Sequence, residues 1–119
     1  MEYRAIARHA RISPTKCRLS VGLIRGKRVE DALNLLAFQS RRGSLMVRKT
    51  LESAVANAAA LGGIDPMDLF VSEARVDKAM VIKRFRPASK GRAAGRIKAC
   101  SHILIAVATK TAESTKVKA

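Results

Sequence analysis

The stretch from Lys83 to Lys98 most restricts what this chain can become: seven of its 16 residues are Lys or Arg, none is Asp or Glu, and only Phe85 and Ile97 are sizeable apolar side chains. Such a segment cannot build a core of its own. Ordering its backbone costs on the order of 16–32 kcal/mol, at roughly 1–2 kcal/mol per residue. What flanks it is strand-like. Before it, Phe70, Ser72, Ala74 and Val76 alternate with Val71, Glu73 and Arg75; after it, Cys100 to Thr109 places Ser101, Ile103, Ile105 and Val107 on one side. Two strands bracketing residues 79–98 predict a hairpin whose connection is a long arm. An isolated two-stranded hairpin is marginal in water. Two readings follow: a flexible basic loop, or an arm ordered by an anionic partner through coupled folding. The second accounts for the cations and is preferred. Extended, each side holds about 8 residues at roughly 3.3 Å each, a reach of about 25 Å. Gly91 and Gly95 let backbone approach a partner closely, while Pro87 limits flexibility.

The rest of the chain supplies a scaffold for that arm. Residues 2–10 read as a short strand with Ile6 between Arg4 and Arg8. Ser13-Pro14 is a helix start, an N-cap hydroxyl followed by proline at the first helical position. Cys17, Val21 and Ile24 recur at i, i+4 and i+7 as one apolar stripe, and Gly26 can end that helix in a left-handed conformation. A second short helix carries Glu30 and Asp31 in its first turn and Leu33, Leu36 and Ala37 on one face. A third runs from about Arg42 to Leu61, buries Val47, Leu51, Ala54, Val55 and Ala58, and stops at Gly62-Gly63. Asp65-Pro66 turns the chain into the strands. Residues 1–109 therefore read as one domain with a modest core, and residues 110–119 as a small, polar tail expected to be disordered. No internal repeat is visible.

Charge narrows the partner. The chain has 119 residues, 24 Lys+Arg against 9 Asp+Glu and a net charge of +15. A small soluble domain usually mixes both signs at a net charge of roughly 2–8. An excess this large favours a polyanion, because clustered Lys/Arg displaces counterions from phosphates. Residues 1–28 hold eight Lys/Arg and one acid, residues 79–98 hold seven and none, and residues 61–78 hold two and four. Two basic blocks thus flank a nearly neutral middle. Aromatics are only 3% with no Trp, which makes the core aliphatic and argues against base-stacking platforms for single strands. Shape and phosphate recognition of folded RNA fits better.

The candidate RNA contacts follow from these blocks. In the first they are Arg4, Arg8, Arg11, Lys16, Arg18, Arg25, Lys27 and Arg28; on the arm they are Lys83, Arg84, Arg86, Lys90, Gly91, Arg92, Arg96 and Lys98. Arg25-Gly26-Lys27-Arg28 can form a phosphate-binding nest of backbone N–H groups and guanidinium, although Gly26 can equally be a helix cap. His9 either hydrogen-bonds RNA or faces solvent, and Asn57 either bonds locally or reaches RNA. Cys17 and Cys100 lack metal-ligand spacing and read as small buried residues, Met67 and Met80 as packing or loop residues. No His, Cys or carboxylate set has ligand or acid/base spacing, so no metal, cofactor or enzymatic chemistry is expected. The longest apolar run, Ile103 to Ala108, has strand length. No targeting segment is recognised, and a reducing, cytosol-like compartment is expected.

Two rivals from other classes fare worse. A DNA-binding helix-turn-helix regulator would use residues 13–25 and 29–38, but its recognition helix would open with Glu30 and Asp31, which repel phosphate. A membrane-surface protein needs an amphipathic apolar face, which the basic arm is expected to lack.

Lys90-Gly91-Arg92, followed after nine residues by His102-Ile103-Leu104-Ile105, closely resembles a signature of one bacterial family, the twenty-second protein of the large ribosomal subunit. Ser13-Pro14-Thr15-Lys16-Cys17-Arg18-Leu19, Leu23-Ile24-Arg25-Gly26-Lys27 and Leu51-Glu52-Ser53-Ala54-Val55-Ala56-Asn57-Ala58 agree with it in order, from about residue 3 to 109. The resemblance implies an α+β fold, three helices packed on a small three-stranded antiparallel sheet with a long protruding hairpin. It implies a structural constituent of the large subunit that binds large-subunit rRNA and aids subunit assembly, with the arm lining the nascent-peptide exit tunnel. Lys83, Arg84, Lys90, Gly91 and Arg92 match positions on the family's arm. Partners implied are rRNA, neighbouring large-subunit proteins and, near the arm tip, the nascent peptide; neither DNA nor membrane is expected. The implied location is the ribosome, in a bacterial cytoplasm or a plastid. Ala88 departs from the Arg or His usual before Ser89-Lys90-Gly91-Arg92, and Ala79-Met80-Val81 replaces a more acidic, Gly/Pro-containing approach to the arm.

Overall fold

Three strands and three helices are the main elements of the described residues, 2–109, in a computed structural model. Strand β1 (Glu2–Ala10) is followed by helices α1 (Pro14–Ile24), α2 (Val29–Phe38) and α3 (Arg42–Gly62), a 3-10 turn at Pro66–Asp68, strand β2 (Leu69–Pro87), a short 3-10 turn at Ser89–Gly91 and strand β3 (Ala93–Thr109). The sheet is antiparallel in the order β1-β3-β2, so β3 is central and the other two are edges. This is the expected α+β architecture. The polar tail, residues 110–119, lies outside the described residues.

Local chemistry sets the helix ends. Ser13 Oγ accepts the Lys16 N–H at 3.4 Å with Pro14 at the first helical position. Gly63 takes a left-handed φ of 62° and donates its N–H to Ala59 O, closing α3 where the Gly62-Gly63 pair predicts. At the other end of α3, Gly43 is buried and Ser44 donates to Gln39 Oε1 (2.9 Å) while sharing a 3.0 Å hydrogen bond with Ser20 of α1. Small residues thus let α1 and α3 cross closely without stranding a hydroxyl.

The core lies between the helices and one face of the sheet. Cys17, Val21 and Ile24 of α1 and Val47, Leu51, Ala54 and Ala58 of α3 are fully buried against Ile103, Ile105 and Val107 of β3. Each large aliphatic there contributes about 1.5–3 kcal/mol by leaving water. Tyr3 and Ala5 complete the inner face of β1; Ile6, Arg4 and Arg8 point to the other side of the sheet.

Three expectations need correction. On α2 the buried residues are Val29, Ala32 and Leu36, with Leu33 partly covered; Ala37 is exposed, because the helix begins at Val29 and its apolar stripe is rotated accordingly. On β2 the pairing shifts between Val71 and Glu73, a bulge that puts Val71 rather than Ser72 on the inner side with Ala74 and Val76. Helix α1 ends at Ile24 with Arg25 already extended, so Gly26 (φ 74°) turns the following loop and is not itself the terminating residue of the helix.

Beyond the core the β2–β3 ladder continues alone. It shifts register once more between Lys78 and Val81 and then pairs without a break from Val81↔Ala99 to Pro87↔Ala93. The result measures 64 × 25 × 25 Å, with a radius of gyration of 17.2 Å, against about 13 Å for a compact chain of this size.

Candidate nucleic-acid interface

Every residue from Lys83 to Lys98 is exposed. The ladder nevertheless sorts them, since directly paired residues share a side and successive residues alternate. Ile82 with Lys98, Arg84 with Arg96 and Arg86 with Ala94 form one side; Val81 with Ala99, Lys83 with Ile97, Phe85 with Gly95 and Pro87 with Ala93 form the other. The first side carries four cations and the second carries one. On the second, Phe85 is 81% and Ile97 72% exposed. The arm therefore does have an apolar side, contrary to expectation: it follows the two-residue period of a strand, and a helical period does not reveal it. Arg84 directly opposite Arg96 is a like-charge pair, which destabilises a free ladder.

At the tip, Pro87↔Ala93 is the last pair, Ala88 N–H donates to Arg92 O at 2.7 Å, and Lys90 (φ 60°) and Gly91 (φ 71°) both take positive φ. Gly91 does so freely; Lys90 carries a steric cost. Lys90 and Arg92 thus project from the narrowest end of the molecule.

The body's candidate cations fall in three places. Arg4 and Arg8 lie on the outer face of the sheet, flanking Ile6. There His9, in a positive-φ bulge, donates its N–H to His102 Nδ1 at 3.2 Å and packs edge-on against that ring. The second group lines the β2 edge. Arg18 donates from Nε (3.3 Å) and Nη2 (3.1 Å) to Val76 O, Arg25 Nε donates to Ala74 O at 2.7 Å, and Arg28 Nη2 donates to Met67 O at 3.2 Å. The phosphate nest at residues 25–28 does not form. The Gly26 N–H donates to Val71 O and the Lys27 N–H to Ile24 O, while Lys27 O accepts from Val71 N–H; the loop is stitched to β2 as an extra bridge. The third group, Arg11 and Lys16, is at the arm root, and here the sequence reading missed two residues. Arg42, from the first turn of α3, lines one recess with Arg11 and Lys98 and a second with Lys16 and Arg41. Both sit in the nearly neutral middle block, so no charge run marked them.

None of these groups is in an ion pair among the described residues, although Asp77 shares a hollow with Arg8 and Glu73 one with Arg25. Among the described residues the ion pairs are Arg48–Glu52, Arg75–Glu73 and Arg75–Asp77, so the arm cations meet no carboxylate. Asn57 does not bond within its own helix: its Nδ2 donates across to Arg4 O of β1 at 2.8 Å. Both cysteines are buried, as expected, and burial pushes the Cys17 thiol up to about 11. Met67 and Met80 are exposed, at the 3-10 turn and beside the arm's basal bulge.

Sheet order, helix count and the protruding ladder agree with the family that the sequence motifs resemble, and direct comparison decides it. The family model for ribosomal protein L22p/L17e matches residues 5–108. The chain belongs to that family. Three L22p/L17e relatives, each named large ribosomal subunit protein uL22, give the degree of likeness. That of Magnetococcus marinus is 49% identical over 106 residues, covering 89% of this chain and 94% of the relative. That of Syntrophobacter fumaroxidans is 46% identical over 110 residues, covering 92% and 100%; that of Methylocella silvestris is 50% identical over 104 residues, covering 87% and 81%. Membership in this L22p/L17e family makes the chain a structural protein and not an enzyme.

Proposed function

We propose that this chain is a constituent of the large ribosomal subunit that binds large-subunit rRNA as a single domain over residues 1–109, aids subunit assembly, and extends its 79–98 arm to the wall of the nascent-peptide exit tunnel. The observation that carries this is the arm itself. Its 16 exposed residues between Lys83 and Lys98 hold seven cations and no acid on a ladder with no core beneath it, a form that an encircling polyanion stabilises and water does not. Lys83, Arg84, Lys90, Gly91 and Arg92 are the residues assigned to the tunnel wall, with the nascent peptide as neighbour at the tip. Body cations such as Arg4, Arg8, Arg11 and Lys16 supply sequence-independent phosphate contacts, and neighbouring subunit proteins complete the surroundings. The location is the ribosome, which in bacteria such as those of the relatives is cytoplasmic.

Helix-turn-helix binding of DNA has little support, since α2 contains no cation and exposes Glu30 and Asp31 at its start. Fractionating a cell extract on a sucrose gradient separates the two readings. The chain is expected in the large-subunit peak; co-migration with nucleoid DNA and absence from that peak would overturn the proposal.

A further inference from the structure

Arg42 belongs to neither basic block of the sequence, yet it helps line a recess of about 160 Å3 at the arm root. Arg11 reaches that recess from the turn after β1, Arg42 from the first turn of α3, and Lys98 from the arm-proximal part of β3. No carboxylate lines it, and none of the three cations is in an ion pair among the described residues. Cations gathered from three separate elements around one hollow repel one another unless an anion sits between them. The recess also opens onto a longer feature. Lys98 is paired with Ile82, and the next rungs on that same side of the ladder are Arg84 with Arg96 and Arg86 with Ala94. Each rung on one side advances about 6.6 Å, two residues at roughly 3.3 Å. That step is similar to the separation of consecutive phosphates along one nucleic-acid strand.

We propose that this recess binds a backbone phosphate of RNA, and that it is the first of a run of phosphate contacts continuing up the Arg84–Arg96–Arg86 side of the arm. The Phe85–Ile97 side is then turned away from the backbone. The inference rests on the rRNA-binding reading above and adds to it a site, a direction and a polarity for the arm. Arg42 is its decisive residue, because charge patterning alone does not point to it.

Titrating the full-length chain against transcribed large-subunit rRNA over a salt series tests the proposal. Replacing a phosphate-contacting cation lowers the slope of log affinity against log salt by about 0.7–0.9. Arg42→Gln and Arg84→Gln are each expected to do so and to weaken binding several-fold at fixed salt. Arg42→Lys, which keeps the charge, and Phe85→Ala are expected to keep the wild-type slope, as is Lys49→Gln, which removes an exposed cation of α3 outside the track. An Arg42→Gln chain with unchanged slope and unchanged thermal unfolding would overturn the root site, as would an equal loss of slope in Lys49→Gln. Wild-type binding no tighter for rRNA than for duplex DNA would instead bring down the reading on which the site rests.

Discussion

At the scale of single residues, two cations, Arg18 of α1 and Arg25 just after it, do a structural task that their charge conceals. Strand β2 is an edge, and an edge strand offers unpaired carbonyls to any other chain. Arg18 and Arg25 occupy those at Val76 and Ala74, and on the opposite edge Asn57 occupies that of Arg4. Arg25→Met keeps the aliphatic stem but removes the donor, and is expected to lower the free chain's stability by about 1 kcal/mol, the net value of one such bond. Arg8→Met, on the exposed outer face, should stay within about 0.5 kcal/mol; urea denaturation of the two variants compares them. Cys17 gives a second residue-scale expectation. Its folded thiol titrates near 11 against 9.0 unperturbed, because burial penalises the thiolate. Folding therefore favours the neutral form: the associated stability is complete below pH 9 and is lost as pH rises toward 11. Urea midpoints measured from pH 8 to 11 should fall more steeply in the wild type than in Cys17→Ala, the difference isolating this thiol. Equal pH dependence in both would contradict it.

At the scale of elements, the arm tip makes a comparable commitment. Gly91 sits at φ 71° and Lys90 at φ 60°, in a loop closed by the Ala88–Arg92 hydrogen bond. Gly91→Val places a β-branched residue where left-handed backbone is strained by roughly 1–2 kcal/mol. The expected result is faster amide exchange at Ala88, with Ile103 and Ile105 unchanged. Lys90→Gly relieves the same kind of strain and should leave the Ala88 bond at least as protected. These elements also mark how far the sequence could be read. Ser13-Pro14, the Cys17–Val21–Ile24 stripe and Gly62-Gly63 were legible because each acts within one or two turns of itself. The bulge after Val71 was not, because alternation assumes an uninterrupted pleat, and the shift becomes visible only once Val71 pairs with Val107 and Glu73 with Ala106. Gly26 was half legible: its positive φ was foreseeable, but the destination of its N–H was a strand 45 residues later. The two-sidedness of the arm depends on register across the turn, and Arg42 on three elements meeting. Neither leaves a trace in a local window.

At the scale of the whole molecule, the 64 Å length joins two bodies of very different stability. The helices and the inner sheet face share one continuous core, from Tyr3 to Val107, and opening it costs the global free energy, typically 5–15 kcal/mol. The ladder beyond Val81↔Ala99 shares none of that core. Its hydrogen bonds face water, and its central rung sets Arg84 against Arg96. Local opening there should cost little, as in other segments with few buried contacts. Added salt reduces the repulsion, since charges more than about 10 Å apart are largely screened at 0.1 M, but it supplies no core. Only a bound polyanion offers both counter-charge and a surface that excludes water from the rungs. Hydrogen exchange on the free chain is therefore expected to show amides of residues 83–98 exchanging orders of magnitude faster than those of Ile103 and Ile105, at low and at moderate salt. In assembled large subunits the same arm amides should become protected while the core values change little. Strong and equal protection in the free chain would mean that the ladder stands by itself, and ordering of the arm by RNA would have to be given up.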